Sequence, residues 1–144
     1  MAGDLHNAVG RLRAQLKRIR YPHVPAAIED LARNDTLLRI LHFTFLDYSR
    51  HLAQFVSSKG YDLYGATDAR FVASLFRLLR DEFRLFPSLT SAQFLSNHHT
   101  ERKLTLVADA IMMAQKQHGE LVRSQRREEA KWTNPKRYTA RDEA

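Results

Sequence analysis

Apolar residues recur at intervals of three and four along most of this chain, and no segment alternates apolar and polar residues as a β-strand does. In residues 4–20 the apolar positions fall within one narrow helical stripe at about 100° per residue: Leu5, Val9, Leu12, Leu16 and Ile19. Asp4 is expected to cap this helix and Tyr21-Pro22 to end it. The periodicity therefore predicts an all-α fold.

A central segment is apolar nearly all round. We expect Asn34-Asp35 to cap it, and one helix to run from there through Phe55 and stop before Gly60. Because a helix without a polar face belongs inside a globule, this segment is predicted to lie at the centre of the fold. Pro25 is expected to start a short helix ahead of it.

Three later segments complete the predicted set of helices. A second central helix is expected from Asp68 until Pro87 ends it. Thr90 and Gln93 have the spacing of a capping box, which predicts a short helix beginning there. A last long helix is expected from Thr100, and it should continue into a charged extension.

The length of the chain limits its domain organisation. A chain of 144 residues fits one compact domain, because single cores typically serve about 100 to 200 residues. We expect the helical domain to occupy residues 1–122, and a charged C-terminal helix extension or tail to occupy residues 123–144. That last part holds few large apolar side chains, so most of it should be solvated.

Composition limits the partners and the compartment. Lys and Arg number 23 against 16 Asp and Glu, and the formal net charge of +7 favours nucleic acid, an anionic membrane or an acidic protein surface. The absence of cysteine excludes disulfides, thiolate zinc sites and thiol nucleophiles, so a cytoplasmic location is the default expectation. The sequence shows neither a secretory leader nor a stretch of about 18 apolar residues, so no membrane partner is expected.

Candidate catalytic and metal-binding residues are few. Asp47, Ser49 and His51 are the residue types of a nucleophilic triad, but alternate residues of one helix point about 200° apart and cannot hydrogen-bond in series. His98-His99 lack a second ligand pair at helical spacing, so an exposed loop or helix cap is the better interpretation. We therefore expect no enzyme activity, no cofactor and no metal.

The strongest functional feature is the polar side of residues 4–20. Its cations are expected to contact an acidic partner: Arg11, Arg13, Lys17, Arg18 and Arg20. Three cations of the tail are expected to assist them: Arg126, Arg127 and Lys131. The alternative is an ordinary solvated face, since many helices carry Lys and Arg outward for solubility alone.

The order of several short motifs is more specific than any one of them. They are Asp68-Ala-Arg-Phe71, Leu78-Leu-Arg-Asp81, Phe83, Pro87, Leu89-Thr90 and Gln93-Phe94, with Phe43-Thr-Phe45, Tyr48-Ser49, Tyr21-Pro22, Arg102-Lys103, Asp109 and Ile111. In this order and spacing, over about residues 4–121, the chain resembles the N-terminal calponin-homology-type domain of the family of the centrosomal protein of 44 kDa.

The resemblance implies a compact calponin-homology fold of four main helices plus short ones. It also implies a location at the centrosome or centriole within the cytoskeleton, and a role in centriole wall assembly and centrosome biogenesis. Microtubules, and so tubulin, are one implied partner, and a WD-repeat centriolar protein is another. The basic residues proposed for the microtubule contact come from charge geometry and not from the resemblance.

Two other functions remain open at this point. The domain could serve as a protein-interaction scaffold at the centriole without touching microtubules, with the positive charge only keeping it soluble. It could also bind nucleic acid, with Trp132 and Tyr138 stacking on bases. Nucleic acid is the less favoured partner because the chain carries no recognisable RNA or DNA motif.

Overall fold

The computed structural model describes residues 2–65 and 67–133, and every regular element within them is helical. The helices are α1 (Ala2–Arg18), α2 (Ile28–Leu31), α3 (Asn34–His42), α4 (Arg50–Ser58), α5 (Asp68–Phe83), α6 (Ser91–Leu95) and α7 (Thr100–Thr133), with a π-helical turn at Phe43–Asp47. The predicted all-α, single-domain class is confirmed. The calponin-homology assignment stays a prediction.

Among the described helices, the first and the last share the most extensive contact, and they run parallel. Arg11 of α1 lies beside Asp109 of α7. Four residues later in α1, Gln15 hydrogen-bonds Gln115, so the two helices run in the same direction. The C-terminal end of α1 therefore lies at the same end of the domain as the C-terminal half of α7.

One core fills the space between these two helices and the others. Its fully buried side chains come from nearly every element: Leu12, Leu16, Leu37, Ile40, Leu41, Phe45, Leu52, Leu63, Phe71, Leu75, Phe94, Leu104, Val107 and Ile111. The stripe predicted for the first helix is thus largely buried, which leaves the opposite side of α1 to solvent. This placement sets up the surface described below.

The predicted continuous central helix is wrong, because the chain breaks near Ser49. After α3 the backbone widens into the π-helical turn, in which the Tyr48 amide donates to the Phe43 carbonyl at 2.8 Å. Ser49 then leaves helical geometry and caps α4, its Oγ accepting from the Leu52 amide at 3.1 Å. Apolar residues lie on both sides of this break, so hydrophobic periodicity alone did not reveal it.

Asn34 was expected to cap a helix, and instead it joins distant elements. The N-cap of α3 is Arg33, and the Asn34 amide nitrogen donates to the carbonyls of Leu95 and Ser96 at 2.9 Å. Lys103, only 2% exposed, donates from Nζ to Asn34 Oδ1 at 2.9 Å and also to the Ser96 carbonyl. Burial lowers the pKa of Lys103. This network fastens the starts of α3 and α7 to the loop after α6.

Of three further predicted helix starts, two differ from the structure and one is confirmed. Helix α1 is already helical at Ala2, so Asp4 lies in its first turn and does not cap it. Helix α2 begins at Ile28 and not at Pro25. The capping box of Thr90 with Gln93 is confirmed, since each residue's side chain bonds the other's backbone amide.

The last helix crosses the predicted end of the domain at residue 122 without a break. Its side chains over residues 123–132 are exposed, as expected for a solvated extension. Residues 134–144, which include the predicted stacking residue Tyr138, lie outside the described residues. The division at residue 122 stays a prediction.

His42 should make the stability of the domain fall below neutral pH. Its ring stacks on Phe71 at 3.7 Å between centroids, and burial lowers its pKa although Asp68 and Asp47 act in the opposite sense. As pH falls below about 6.5, the unfolded chain takes up a proton that the folded chain resists, so stability declines until the folded-state pKa is passed.

His42→Phe should therefore lose less stability than the wild type between pH 7 and pH 5 in urea unfolding. His98→Gln, an exposed change, should retain the wild-type slope. Parallel curves for wild type and His42→Phe would contradict this assignment.

Candidate interaction surface

The structure divides the five predicted cations of the first helix into two groups. Arg11 and Arg18 are seven residues apart and share one flank of α1, while Arg13 and Lys17 share another flank about 100° or more away. Arg20 follows the helix end, close to the second group. The sequence pattern predicted one basic side of the helix for these cations, whereas those within α1 lie on two separate flanks.

Arg11 belongs to the flank that faces α7. Its guanidinium pairs with the Asp109 carboxylate at 2.7 Å, and its side chain is 53% exposed. The pair joins the two long helices at the surface, where such ion pairs contribute little stability. Part of the charge of Arg11 is therefore already neutralised, and Arg18, which is exposed, carries the freer charge on this flank.

Arg13 belongs to the other flank and is engaged by the following loop. Its guanidinium donates to the carbonyls of Pro25 and Ala26 at 2.8 and 2.9 Å. The side chain is only partly exposed. Arg13 therefore holds the loop against α1, in addition to bringing positive charge to this flank.

Lys17 and Arg20 line an open cleft beside that loop. The cleft has a volume of about 470 Å³, and its lining comprises Arg13, Leu16, Lys17, Arg20, Tyr21 and Val24. The backbone at Arg20 is left-handed, with φ of 58°, which ends α1 and turns the chain toward Tyr21. None of these six residues is acidic, so the cleft combines positive charge with apolar surface.

Sequence reasoning missed Arg39, whose charge acts on Tyr21 in the lining of this cleft. Burial raises the pKa of Tyr21, and the positive charge of Arg39 on α3 acts to lower it. Asp35 lies 3.9 Å from Arg39 and partly offsets its charge. No local pattern links Arg39 to Tyr21, because the two residues belong to different segments of the chain.

The predicted tail cations lie beyond the same end of the domain. Arg126, Arg127 and Lys131 are exposed on the last part of α7, and Lys131 is 3.7 Å from Glu128. Since α7 runs parallel to α1, residue 126 stands about 16.5 Å further along the axis than residue 115, which pairs with Gln15. The tail cations are thus separate from the cleft, although both lie toward the same end of the molecule.

The candidate catalytic residues do not align in series. Ser49 Oγ lies 2.6 Å from His118 Nδ1, while the His51 ring hydrogen-bonds Gln125. Ser49 is 3% exposed and also caps α4, so these contacts fasten α4 to α7. In the described part of the chain, no group of three or more metal-ligating side chains is positioned to hold a metal ion.

Arg13→Ala should lower the free energy of unfolding by about 1 to 2 kcal/mol, since it removes two hydrogen bonds from a charged, partly exposed donor. Lys17→Ala, an exposed change one turn away, should stay within about 0.5 kcal/mol of the wild type. Urea unfolding of both variants checks this. Equal stabilities would mean that the Arg13 bonds do not hold the loop.

Fold and surface together define an all-helical domain with a basic cleft at one end. The family model described as "Centrosomal spindle body, CEP44" matches residues 4–128. This chain belongs to that family.

Several curated relatives carry the name centrosomal protein of 44 kDa. The chain is 31% identical to the one from Xenopus tropicalis over 121 residues, and 30% identical to those from Rattus norvegicus and Homo sapiens over 122 and 121 residues. Each match covers 83% of this chain and 31% of the relative, so the chain spans about a third of the relatives' length. Among the described residues, no helix is both long and apolar enough to span a bilayer.

Proposed function

We propose that this domain is a non-enzymatic microtubule-binding module that acts at the centrosome and contributes to centriole wall assembly. The observation that carries the proposal is the cleft beside α1, where Lys17 and Arg20 are exposed and no lining residue is acidic. The tubulin lattice presents an acidic surface and acidic tails, which such a site would attract. Membership of a family named for the centrosome supports the location.

The two groups of cations have different roles in this proposal. Lys17 and Arg20 make direct contacts, Arg18 adds attraction from the neighbouring flank, and Arg11 and Arg13 act mainly within the domain. The exposed cations of α7 add weaker contacts beyond the cleft. Each exposed contact is worth little alone, so affinity depends on several acting together.

Co-sedimentation with taxane-stabilised microtubules across a salt series tests the proposal. We expect saturable binding at low ionic strength that weakens steeply as salt rises, because exposed charge pairs are screened within about 8 Å at physiological salt. An excess of RNA added as competitor should leave the pelleted fraction unchanged.

Absence of pelleting at low salt would contradict microtubule binding and leave the scaffold role, with the WD-repeat centriolar protein as the proposed partner. Binding that is insensitive to salt would contradict the basic contact surface while retaining the microtubule as partner.

A further inference from the structure

The floor of the α1 cleft is apolar and held in place. Leu16 is fully buried beneath it, and the Tyr21 ring packs edge-on against Phe43, with centroids 5.2 Å apart. Val24 completes the apolar surface and is 39% exposed. An apolar patch bounded by charged residues can accept an apolar side chain from a partner.

The far wall of the cleft is held in place from within the domain. Arg13 binds two successive carbonyls of the loop, those of Pro25 and Ala26, and Val24 precedes them directly. The wall that carries Val24 is therefore tied to α1 by two hydrogen bonds. Such a cleft is formed before any partner arrives, which reduces the entropy lost on binding.

The rim of the cleft is positive. Lys17 stands on the α1 side, and Arg20 follows the helix end. A partner that only neutralised these cations would gain nothing from Val24, and a partner that was only apolar would gain nothing from the rim. The two features together call for one ligand that carries both negative charge and an apolar side chain.

We propose that the cleft binds an extended acidic peptide, with one apolar or aromatic side chain seated between Tyr21 and Val24 and flanking carboxylates on Lys17 and Arg20. This proposal rests on the proposed function and names the kind of segment that the same surface takes. The cleft's volume of about 470 Å³ lies within the range of ligand-binding clefts. A flexible acidic tail fits this chemistry, because it can bring an apolar side chain and its neighbouring carboxylates to the cleft together.

Fluorescence anisotropy with two labelled peptides, Glu-Glu-Phe-Glu-Glu and Glu-Glu-Ser-Glu-Glu, tests the proposal on the full chain. The Phe peptide should bind at least about fivefold more tightly, because only it buries an apolar side chain. Val24→Ser should abolish that preference, while Met112→Ser, an exposed change on α7, should retain it. Lys17→Glu should weaken both peptides, and Arg18→Glu, with the same change of charge, should weaken them less.

Equal binding of the two peptides, or a preference that survives Val24→Ser, would overturn the proposal. So would a wild-type dimer that Val24→Ser converts to a monomer, because a second copy would then occupy the cleft. Co-sedimentation with intact microtubules and with microtubules whose acidic tails have been removed by protease separates the two proposals. Loss of binding on tail removal supports the peptide site. Equal binding to both kinds of microtubule overturns the peptide site but retains microtubule binding. If the chain pellets with neither kind, only the proposed function is overturned, and the peptide assay then decides the role of the cleft.

Discussion

Exchanging both Lys17 and Arg20 for glutamate is expected to weaken microtubule binding by roughly tenfold or more, because two attractive contacts become repulsive. Both side chains are exposed at the cleft, so the fold should persist. Arg20 already holds a left-handed backbone, and glutamate meets the same restriction there. Co-sedimentation at fixed low salt measures the effect, and circular dichroism confirms that the variant remains helical.

A matched double variant controls for the change in net charge. Arg70→Glu with Arg80→Glu alters the charge of the chain equally, on exposed positions of α5. It should weaken binding much less than the change at Lys17 and Arg20. Equal losses from both variants would show that net charge, and not the α1 surface, governs binding.

Replacing Lys103 by alanine is expected to lower the free energy of unfolding by about 2 to 4 kcal/mol, a large part of the roughly 5 to 15 kcal/mol that stabilises a typical domain. The change leaves Asn34 Oδ1 without its buried donor, and it opens a void where the lysine stem was packed. The starts of α3 and α7 should separate first, since the Lys103 network joins them.

Lys116→Ala is the matched control, because it makes the same substitution at an exposed position of the same helix. It should stay within about 0.5 kcal/mol of the wild type in urea unfolding. A Lys103→Ala variant as stable as Lys116→Ala would mean that the buried network contributes nothing to the fold.

Local sequence patterns predicted most of the helices. The stripe from Leu5 to Ile19 and the capping box at Thr90 each depend on residues within a few positions of one another, and the structure has both helices. The break at Ser49 escaped prediction because the apolar pattern continues through it. A serine between two apolar stretches was the available signal, since Ser is a favoured N-cap residue.

The parts that could not be predicted depend on contacts between distant residues. Lys103 and Asn34 are 69 positions apart, so nothing in their local sequence marks the pair. The same is true of Arg13, which looks like Lys17 in the sequence but bonds the loop carbonyls once the chain has folded. Sequence identified a basic helix, and packing decides which of its cations remain free for a partner.

Lysine footprinting tests the central proposal most directly, because Lys17 lies in the cleft and lysines on other surfaces serve as internal controls. The chain would be acetylated in two samples, one free in solution and one bound to microtubules. Mass spectrometry would then compare the reactivity of each lysine between the two samples. We predict that microtubules protect Lys17, while Lys59 at the end of α4 and Lys116 on α7 keep their reactivity. Protection of Lys59 or Lys116 with Lys17 unchanged would place the contact elsewhere and contradict the proposed surface.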